Sequence, residues 1–355
     1  METNKAYHEE TDIRNIKKLR ELLQKLPPFT QYFFRGIEQT TATRTRLAYA
    51  YDLIVFFNFI KNKTNLMEDP GENFENVTVD ILDRISSIDI ENYMSYLFAY
   101  ETDSAGHSER NNKCFGQKRK LSSLRTFYRY YFRKEMIHSN PSELVDMPKL
   151  IQKNIIRLDA AEVAELVDQV ESGDHLTKKE KEFHKRTEVR DFAMICLMLG
   201  TGIRVSECVG LNVDDVDLKE TCAKIFRKGG KEAVVYFSDE VARALAPYLE
   251  QRKDMNPVSG HENALFLSLQ NKRMSVRAVE KMVKKYTSGV TTMKKITPHK
   301  LRSTFGTALY QETGDIYLVA SVLGHSDVNT TKKHYADIEN DSKRMARNIV
   351  KLRDD

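Results

Sequence analysis

Residues 296–337 read ITPHKLRSTFGTALYQETGDIYLVASVLGHSDVNTTKKHYAD and contain a dense group of candidate functional side chains. Thr297 is a suitable N-cap residue and Pro298 fits the first helical position, so a helix is predicted to begin there. His299 and Arg302, three residues apart, then share one face at the positive end of that helix. An imidazole and a guanidinium in this position favour an anion, which predicts a phosphate-binding site.

Two more candidates lie further along the same stretch. His325 follows a glycine that ends a second predicted helix, and Tyr335 is the last tyrosine of the chain. A non-catalytic helix-turn-helix, with the glycine in the turn and a basic second helix, is an alternative interpretation of these residues.

Length and charge bound the class of protein. The 355 residues exceed one typical core and predict two domains, at residues 1–150 and 151–355. Lysine and arginine number 56 against 51 acidic residues, a net charge of +5 that permits a polyanionic partner without requiring one. Because no apolar run is long enough to span a membrane and the amino terminus is polar, we expect a cytoplasmic protein.

The cysteines and histidines lack the spacing of metal ligands. Cys114, Cys196, Cys208 and Cys222 form no CxxC pair, and neither HxxxH nor HExxH occurs. We therefore expect buried free thiols and no metal.

The first domain is predicted to be helical. Apolar stripes predict helices at residues 43–60, 89–98 and 118–134. The last of these carries basic residues outside its core stripe, namely Lys118, Arg125, Arg129 and Arg133. Such a row can follow a DNA backbone, and a solvated basic face is the alternative.

Two connecting segments are predicted in or after this domain. The hydrophilic residues 101–112 are expected to form a solvent-facing loop. Residues 138–154 contain two prolines and a basic extended piece, and they are predicted to link the domains.

The second domain is predicted to combine helices with a small hairpin. Residues 188–199 form a strongly apolar helix that should be the central buried one, closed by Gly200 and Gly202. Arg204 follows in TGIRVSE, where an ion pair with Glu207 is the simplest interpretation.

Alternating residues 221–226 and 232–237 flank RKGGK, which predicts a hairpin with Lys228 at its turn. Lysine at a hairpin tip is commonly a solvated surface residue, but its mobile ammonium is also a candidate proton donor for a leaving alkoxide. Together with the predicted helices, the hairpin makes the expected fold mainly α with a small β-sheet.

The motifs together resemble the tyrosine site-specific recombinases. That family's pattern is an arginine in TGxRxSE, a lysine in a hairpin, HxLR, LGH and a tyrosine shortly after. Here the motifs read TGIRVSE, RKGGK, HKLR, LGH and HY. The resemblance covers nearly the whole chain, and RKGGK, SVRAVEKMVKKY and TPHKLR are especially similar to the single-protein Xer subfamily called XerS.

The resemblance implies a SAM-like helical core-binding domain and a catalytic domain that form a C-shaped clamp on DNA. It implies that Tyr335 attacks the scissile phosphate to give a 3′-phosphotyrosine, which conserves bond energy so that no cofactor is needed. The implied roles of the other residues are phosphate binding by Arg204, Arg302 and His325, protonation of the leaving 5′-oxygen by Lys228, and proton transfer or phosphate binding by His299.

The same resemblance implies the partners. They are a double-stranded DNA recombination site, a homotetramer that exchanges a helix at residues 341–352, and an FtsK-type translocase as a candidate activator. The implied role is chromosome dimer resolution at a dif-like site, linked to chromosome partition and cell division. An integrase or excision recombinase of a mobile element is the alternative, and a type IB topoisomerase uses similar chemistry.

One spacing departs from the family pattern. The family usually places its tyrosine nine residues after the histidine of LGH, whereas Tyr335 lies ten residues after His325 and His334 occupies the ninth position. On a continuous helix one added residue rotates a side chain by about 100°. We nevertheless expect Tyr335 to be the nucleophile, because no other tyrosine follows His325.

Overall fold

The computed structural model describes residues 7–98, 100–102, 108–110, 114–150, 156–227, 230–291, 293–325 and 327–328. The chain forms two compact units, the first ending at Lys153 and the second beginning at Asn154. Most of the regular structure is helical and the sheets are small, which confirms the predicted fold class. No helix among the described residues is long and apolar enough to cross a membrane.

Helices with aromatic side chains build the first unit. Its elements are α1 (Tyr7–Leu23), α2 (Thr30–Gly36), α3 (Thr43–Lys63), α4 (Ile81–Arg84), α5 (Ser87–Tyr96), β1 (Tyr100–Thr102), β2 (Ser108–Arg110) and α6 (Cys114–Arg133). Phe33 of α2, Phe57 of α3 and Phe127 of α6 are completely buried. The ring centroids of Phe33 and Phe127 are 5.2 Å apart in an edge-to-face arrangement, which is a favourable geometry for aromatic pairs.

The structure corrects the predictions for both connecting segments. Residues 101–112, predicted as a loop, contain most of the antiparallel pair β1–β2, whose strands are too short for their alternation to be recognised. The first part of the predicted linker is folded into the first unit as a 3-10 turn at Pro141–Glu143, with Ser142 and Val145 buried. Proline at the first position of such a turn is structural here, and it misled the linker prediction.

The second unit surrounds one buried helix. Its elements are α7 (Ala160–Ser172), α8 (Lys178–His184), α9 (Glu188–Thr201), α10 (Val205–Gly210), β3 (Val216–Asp217), β4 (Cys222–Phe226), β5 (Glu232–Tyr236), α11 (Asp239–Lys253), α12 (Val276–Val290), α13 (Pro298–Thr313) and α14 (Ile316–Leu323). Helix α9 packs against α7, α11 and α13 and is buried along most of its length, as predicted.

The glycine that ends α9 brings the following turn close to α13. Gly202 has a positive φ of 62°, a conformation that favours glycine. A Cβ atom at this position would lie 2.4 Å from Cδ1 of Phe305, so a larger residue would also displace α13 side chains. The TGIR turn can therefore lie close to α13 because Gly202 has no side chain.

The predicted hairpin is present. Strands β4 and β5 are antiparallel, with Cys222 opposite Tyr236 and Phe226 opposite Glu232. The short strand β3, which the sequence did not predict, adds to the other edge of β4. The amide of Arg227 donates to the carbonyl of Lys231 at 2.8 Å, so Arg227 lies at the root of the turn.

All four cysteines are free thiols, as predicted, but they differ in exposure. Cys196 and Cys208 are buried, and burial raises the pKa of the Cys196 thiol to about 12. Cys222 is half-buried, and Cys114 is exposed because it begins α6 outside the core. The prediction of burial is therefore wrong for Cys114.

Candidate active site

The carboxyl end of α14 is the centre of the candidate site. Asp315 is the N-cap residue of this helix, and its carboxylate accepts hydrogen bonds from the amides of Tyr317 and Leu318. It ends with Gly324 in the left-handed conformation, where the amides of Gly324 and His325 donate to Ser321 and Ala320 at 3.0 and 2.9 Å. This is a Schellman motif, and it fixes the backbone of His325 directly after the helix.

Arg302 joins this end of α14 to the end of α9. Its side chain is buried in the first turns of α13, and Nη1 donates to the carbonyl of Gly202 at 2.6 Å. Nη2 donates to the carbonyl of Leu323. The planar guanidinium group can serve both acceptors at once, which an ammonium group cannot do in the same geometry.

Arg204 reaches the same helix end from α10. Its amide and its Nη1 donate to the two carboxylate oxygens of Glu207, each at 2.7 Å, so Glu207 caps α10 and pairs with the arginine. Nη2 of Arg204 lies 3.3 Å from the carbonyl of Gly324. The predicted ion pair is therefore present, with a buried Glu207 and an Arg204 side chain that is 37% exposed.

A third arginine, which the sequence analysis did not single out, contacts the same helix end. Nη2 of Arg227 donates to the carbonyl of Val322 at 2.8 Å, and Nη1 to that of Ser321 at 3.4 Å. The available signal was its position, immediately before Lys228 at the root of a basic hairpin turn. We call the group formed by Arg204, Glu207, Arg227 and Arg302 the arginine cluster.

The arginine cluster combines three guanidinium groups with one carboxylate. Backbone carbonyls carry no formal charge, so they hold the guanidinium groups in place without neutralising them. Cations are also favoured beside the partial negative charge of a helix carboxyl end. The cluster therefore keeps a net positive charge, which suits an anion with several oxygen atoms.

The amino end of α13 carries Thr297, Pro298 and His299. Thr297 is the N-cap residue and Pro298 the first helical residue, as expected, but the Thr297 side chain makes no capping hydrogen bond. His299 is exposed one turn before Arg302. Because the guanidinium of Arg302 reaches the end of α14, the arginines meet there and not at the amino end of α13.

The structure brings together part of the predicted residue set. Arg204, Arg302 and the backbone of His325 meet at the end of α14. Lys228, Tyr335 and the helix predicted at residues 341–352 lie outside the described residues, as does His334. The roles of all these residues stay predictions.

The predicted DNA-binding row on α6 includes side chains with structural partners. Arg125 donates to the carbonyls of Ser142 and Val145 at 3.0 and 2.5 Å, which anchors the turn after α6. Arg129 pairs with Glu143 at 3.2 Å on the surface. Lys118 is half-buried and Arg133 exposed, and DNA binding by the row stays a prediction.

A metal site would need cysteine, histidine, aspartate or glutamate side chains close together. Within the described part of the chain, no group of three or more of them is placed to hold a metal ion. The expectation of a metal-free protein stays a prediction.

Comparison with known proteins identifies the family. Residues 157–341 match the model of the phage integrase family. The tyrosine recombinase XerC of Caldanaerobacter subterraneus is 35% identical over 317 residues, which cover 87% of this chain and 82% of that protein. XerD of Staphylococcus epidermidis is 33% identical over 212 residues, which cover 60% of this chain and 68% of that protein.

A solved structure has the same fold. The XerH site-specific recombinase, bound to a palindromic difH substrate in a post-cleavage complex, has a TM-score of 0.62 at 19% identity. The match covers 86% of this chain and 80% of that one.

The chain belongs to the phage integrase family. Within that family it is a Xer-like tyrosine recombinase, an enzyme of site-specific DNA recombination. The predicted family and enzyme class are thereby confirmed. Because these relatives are XerC and XerD proteins, the closer resemblance to XerS stays a prediction.

Proposed function

We propose that this enzyme resolves chromosome dimers by recombining two copies of a dif-like double-stranded DNA site. The observation that carries the proposal is the meeting of Arg204, Arg302 and the His325 backbone at one helix end. A scissile phosphodiester carries one negative charge over two nonbridging oxygens, and two positioned arginines match that shape. The XerC and XerD names of the relatives support a Xer-type recombinase, the type for which the resemblance implies chromosome dimer resolution and not a mobile-element role.

The proposed reaction is a transesterification with balanced bonds. The Tyr335 oxygen attacks phosphorus, the bond from phosphorus to the 5′-oxygen breaks, and a 3′-phosphotyrosine forms. Lys228 gives a proton to the departing 5′-oxygen, and His299 assists proton transfer at the tyrosine or holds the phosphate. Arg204, Arg302 and His325 stabilise the charge on the nonbridging oxygens in the transition state.

The proposed assembly is a tetramer on two DNA sites. The helical unit and the catalytic unit both bind the duplex, with the basic row on α6 near its backbone. Four protomers on two sites exchange the helix at residues 341–352, in the cytoplasm, and an FtsK-type translocase is the proposed activator.

The nucleophile can be tested by trapping the covalent intermediate. Duplexes are selected from host genomic fragments by wild-type binding, and a nick beside the scissile phosphate then releases a short strand and prevents religation. Wild-type protein should form a covalent adduct, and Tyr335→Phe should form none because its ring lacks the attacking oxygen. His334→Gln is the matched control, since it changes the residue at the usual family spacing, and it should retain the adduct.

Three results would change the proposal. An adduct with Tyr335→Phe would overturn the assignment of the nucleophile. Failure of wild-type protein to form any adduct would overturn the reaction. Selected sites at the ends of a mobile element, in place of one chromosomal locus, would favour the integrase alternative.

A further inference from the structure

Each of the carbonyls from Ala320 to Gly324, at the carboxyl end of α14, accepts a hydrogen bond. The Schellman motif satisfies Ala320 and Ser321 through the amides of His325 and Gly324. The carbonyls of the next three residues have no later helical turn to bond, as at every helix end. They receive Arg227, Arg302 and Arg204 respectively.

Arg227 differs from the other two arginines because it comes from the hairpin. Arg302 belongs to α13 and Arg204 to the start of α10, whereas Arg227 directly follows β4. Its amide closes the turn by bonding Lys231, while its side chain bonds Val322. One residue therefore connects the root of the hairpin to the helix end before His325.

Gly324 makes room for this contact. A Cβ atom at Gly324 would lie 2.1 Å from Nη1 and 2.4 Å from Cζ of Arg227. The guanidinium group therefore lies directly against the glycine that ends α14. Both the left-handed turn and the Arg227 contact depend on the missing side chain.

We propose that Arg227 is a positioning residue for recombination, one that fixes the hairpin residue Lys228 relative to Arg204, Arg302 and His325. The inference rests on the proposed function, in which Lys228 protonates the leaving 5′-oxygen. Consecutive Cα atoms are about 3.8 Å apart, so fixing Arg227 strongly restricts where the Lys228 backbone can lie. Displacement by about 1 Å of a group that takes part in catalysis can cost about 10²-fold in rate.

The role can be separated from a purely structural one by changing the leaving group. Arg227→Ala is compared with wild-type protein on nicked genomic duplexes selected by the wild type. One duplex has the normal 5′-oxygen at the scissile bond, and the other has sulfur in its place. Breaking the phosphorus–sulfur bond releases a stable thiolate that needs no proton, so a misplaced proton donor no longer limits the rate.

On the normal duplex, Arg227→Ala should cleave about 10²-fold more slowly in single turnover at saturating DNA, because the proton donor is misplaced. DNA affinity is measured by gel shift at one salt concentration, and the cleavage rates are compared at DNA concentrations that saturate each protein. The sulfur duplex should restore the rate of Arg227→Ala to that of wild-type protein on the same substrate. Arg227→Lys should also be slow on the normal duplex, since it keeps the charge but lacks the planar fork.

Lys224→Ala is the matched control, because it removes a cation from β4 whose partner is the exposed Glu232 at 2.9 Å. It should cleave the normal duplex at the wild-type rate. Equal slowing by Lys224→Ala, a loss of affinity that accounts for the rate, or equal slowing of Arg227→Ala on both duplexes would overturn the role of Arg227. A wild-type protein that forms no adduct would instead overturn the proposed function, so the two failures are distinguishable.

Discussion

Two groups of cationic side chains in the second unit differ in what accepts their hydrogen bonds. In the arginine cluster, backbone carbonyls at the end of α14 accept from three arginines, and one of these also pairs with Glu207. The other group is the Asp191 network, which consists of Thr187, Arg190, Asp191, Lys285 and Tyr286. There, one buried carboxylate accepts from every other member of the network.

The acceptor decides what each group can do. In the Asp191 network, Arg190 donates to Oδ1 at 2.6 Å, while Lys285 donates to Oδ2 at 3.2 Å. Burial lowers the pKa of Lys285, and the charge and hydrogen bond of Asp191 oppose that shift. Carbonyls position a guanidinium but leave its charge available. Similar residues therefore form a structural network in one place and the proposed anion site in the other.

The largest effect expected in a test of this contrast is the loss of stability when the Asp191 charge is removed. Asp191→Asn leaves Arg190 and Lys285 without their carboxylate, while their side chains are only 12% and 17% exposed. Breaking a buried pair in this way typically costs about 3–5 kcal/mol of unfolding free energy. Urea denaturation followed by circular dichroism measures the loss.

Tyr286→Phe is the control for that experiment, because it removes one hydroxyl donor and keeps all three charges. It should be less destabilising than Asp191→Asn, and both variants should cleave DNA normally per folded molecule. Equal destabilisation by the two variants would show that packing, and not charge, makes the network stable.

The second test makes the same substitution, arginine to lysine, in both groups. Arg302→Lys cannot bond the carbonyls of Gly202 and Leu323 together, and it offers the phosphate a single point charge. We expect the rate of covalent adduct formation to fall by about 10²–10³-fold, as for other lost transition-state donors. Single-turnover cleavage at saturating DNA measures this change.

Arg190→Lys makes the matched change in the Asp191 network. Arg190 bonds the Leu267 carbonyl at 2.8 Å as well as Asp191, so its replacement should lower stability. Its cleavage rate per folded molecule should equal that of wild-type protein. A comparable rate loss in Arg190→Lys would contradict the separation of the two groups.

Much of the fold was predictable because local signals and burial agree. Asp159 caps α7 through the backbone of Glu162 at 2.9 Å, and RKGGK joins β4 to β5. Arg204 and Arg302 were recognised through their motifs. These features depend on residues close in sequence, which a reader of the sequence can compare directly.

The missed features depend on contacts between distant residues. Arg227 contacts Val322, which is 95 residues away, and Asp191 contacts Tyr286, also 95 residues away. The residues next to Arg227 in sequence do not show whether its side chain bonds carbonyls or is solvated. The residues next to Asp191 likewise do not show that it accepts from Tyr286. The buried turn at Pro141–Glu143 was missed for the same reason, since its anchor is Arg125 on α6.

The smallest expected effect comes from a pair of glycine variants that tests the contact between Arg227 and Gly324. Gly314 and Gly324 both end helices with φ of 63°, so alanine is strained by about 1–3 kcal/mol at either position. A Cβ atom at Gly314 would meet none of the described residues within 4 Å, whereas at Gly324 it would displace Arg227. Both variants should therefore unfold at lower urea concentration, but only Gly324→Ala should also slow cleavage of the normal duplex. If Gly314→Ala slowed cleavage equally, strain in the helix ends and not the position of Arg227 would control the rate.

In the double variant Arg227→Ala with Gly324→Ala, the losses in rate should be less than additive, because both changes break the same contact.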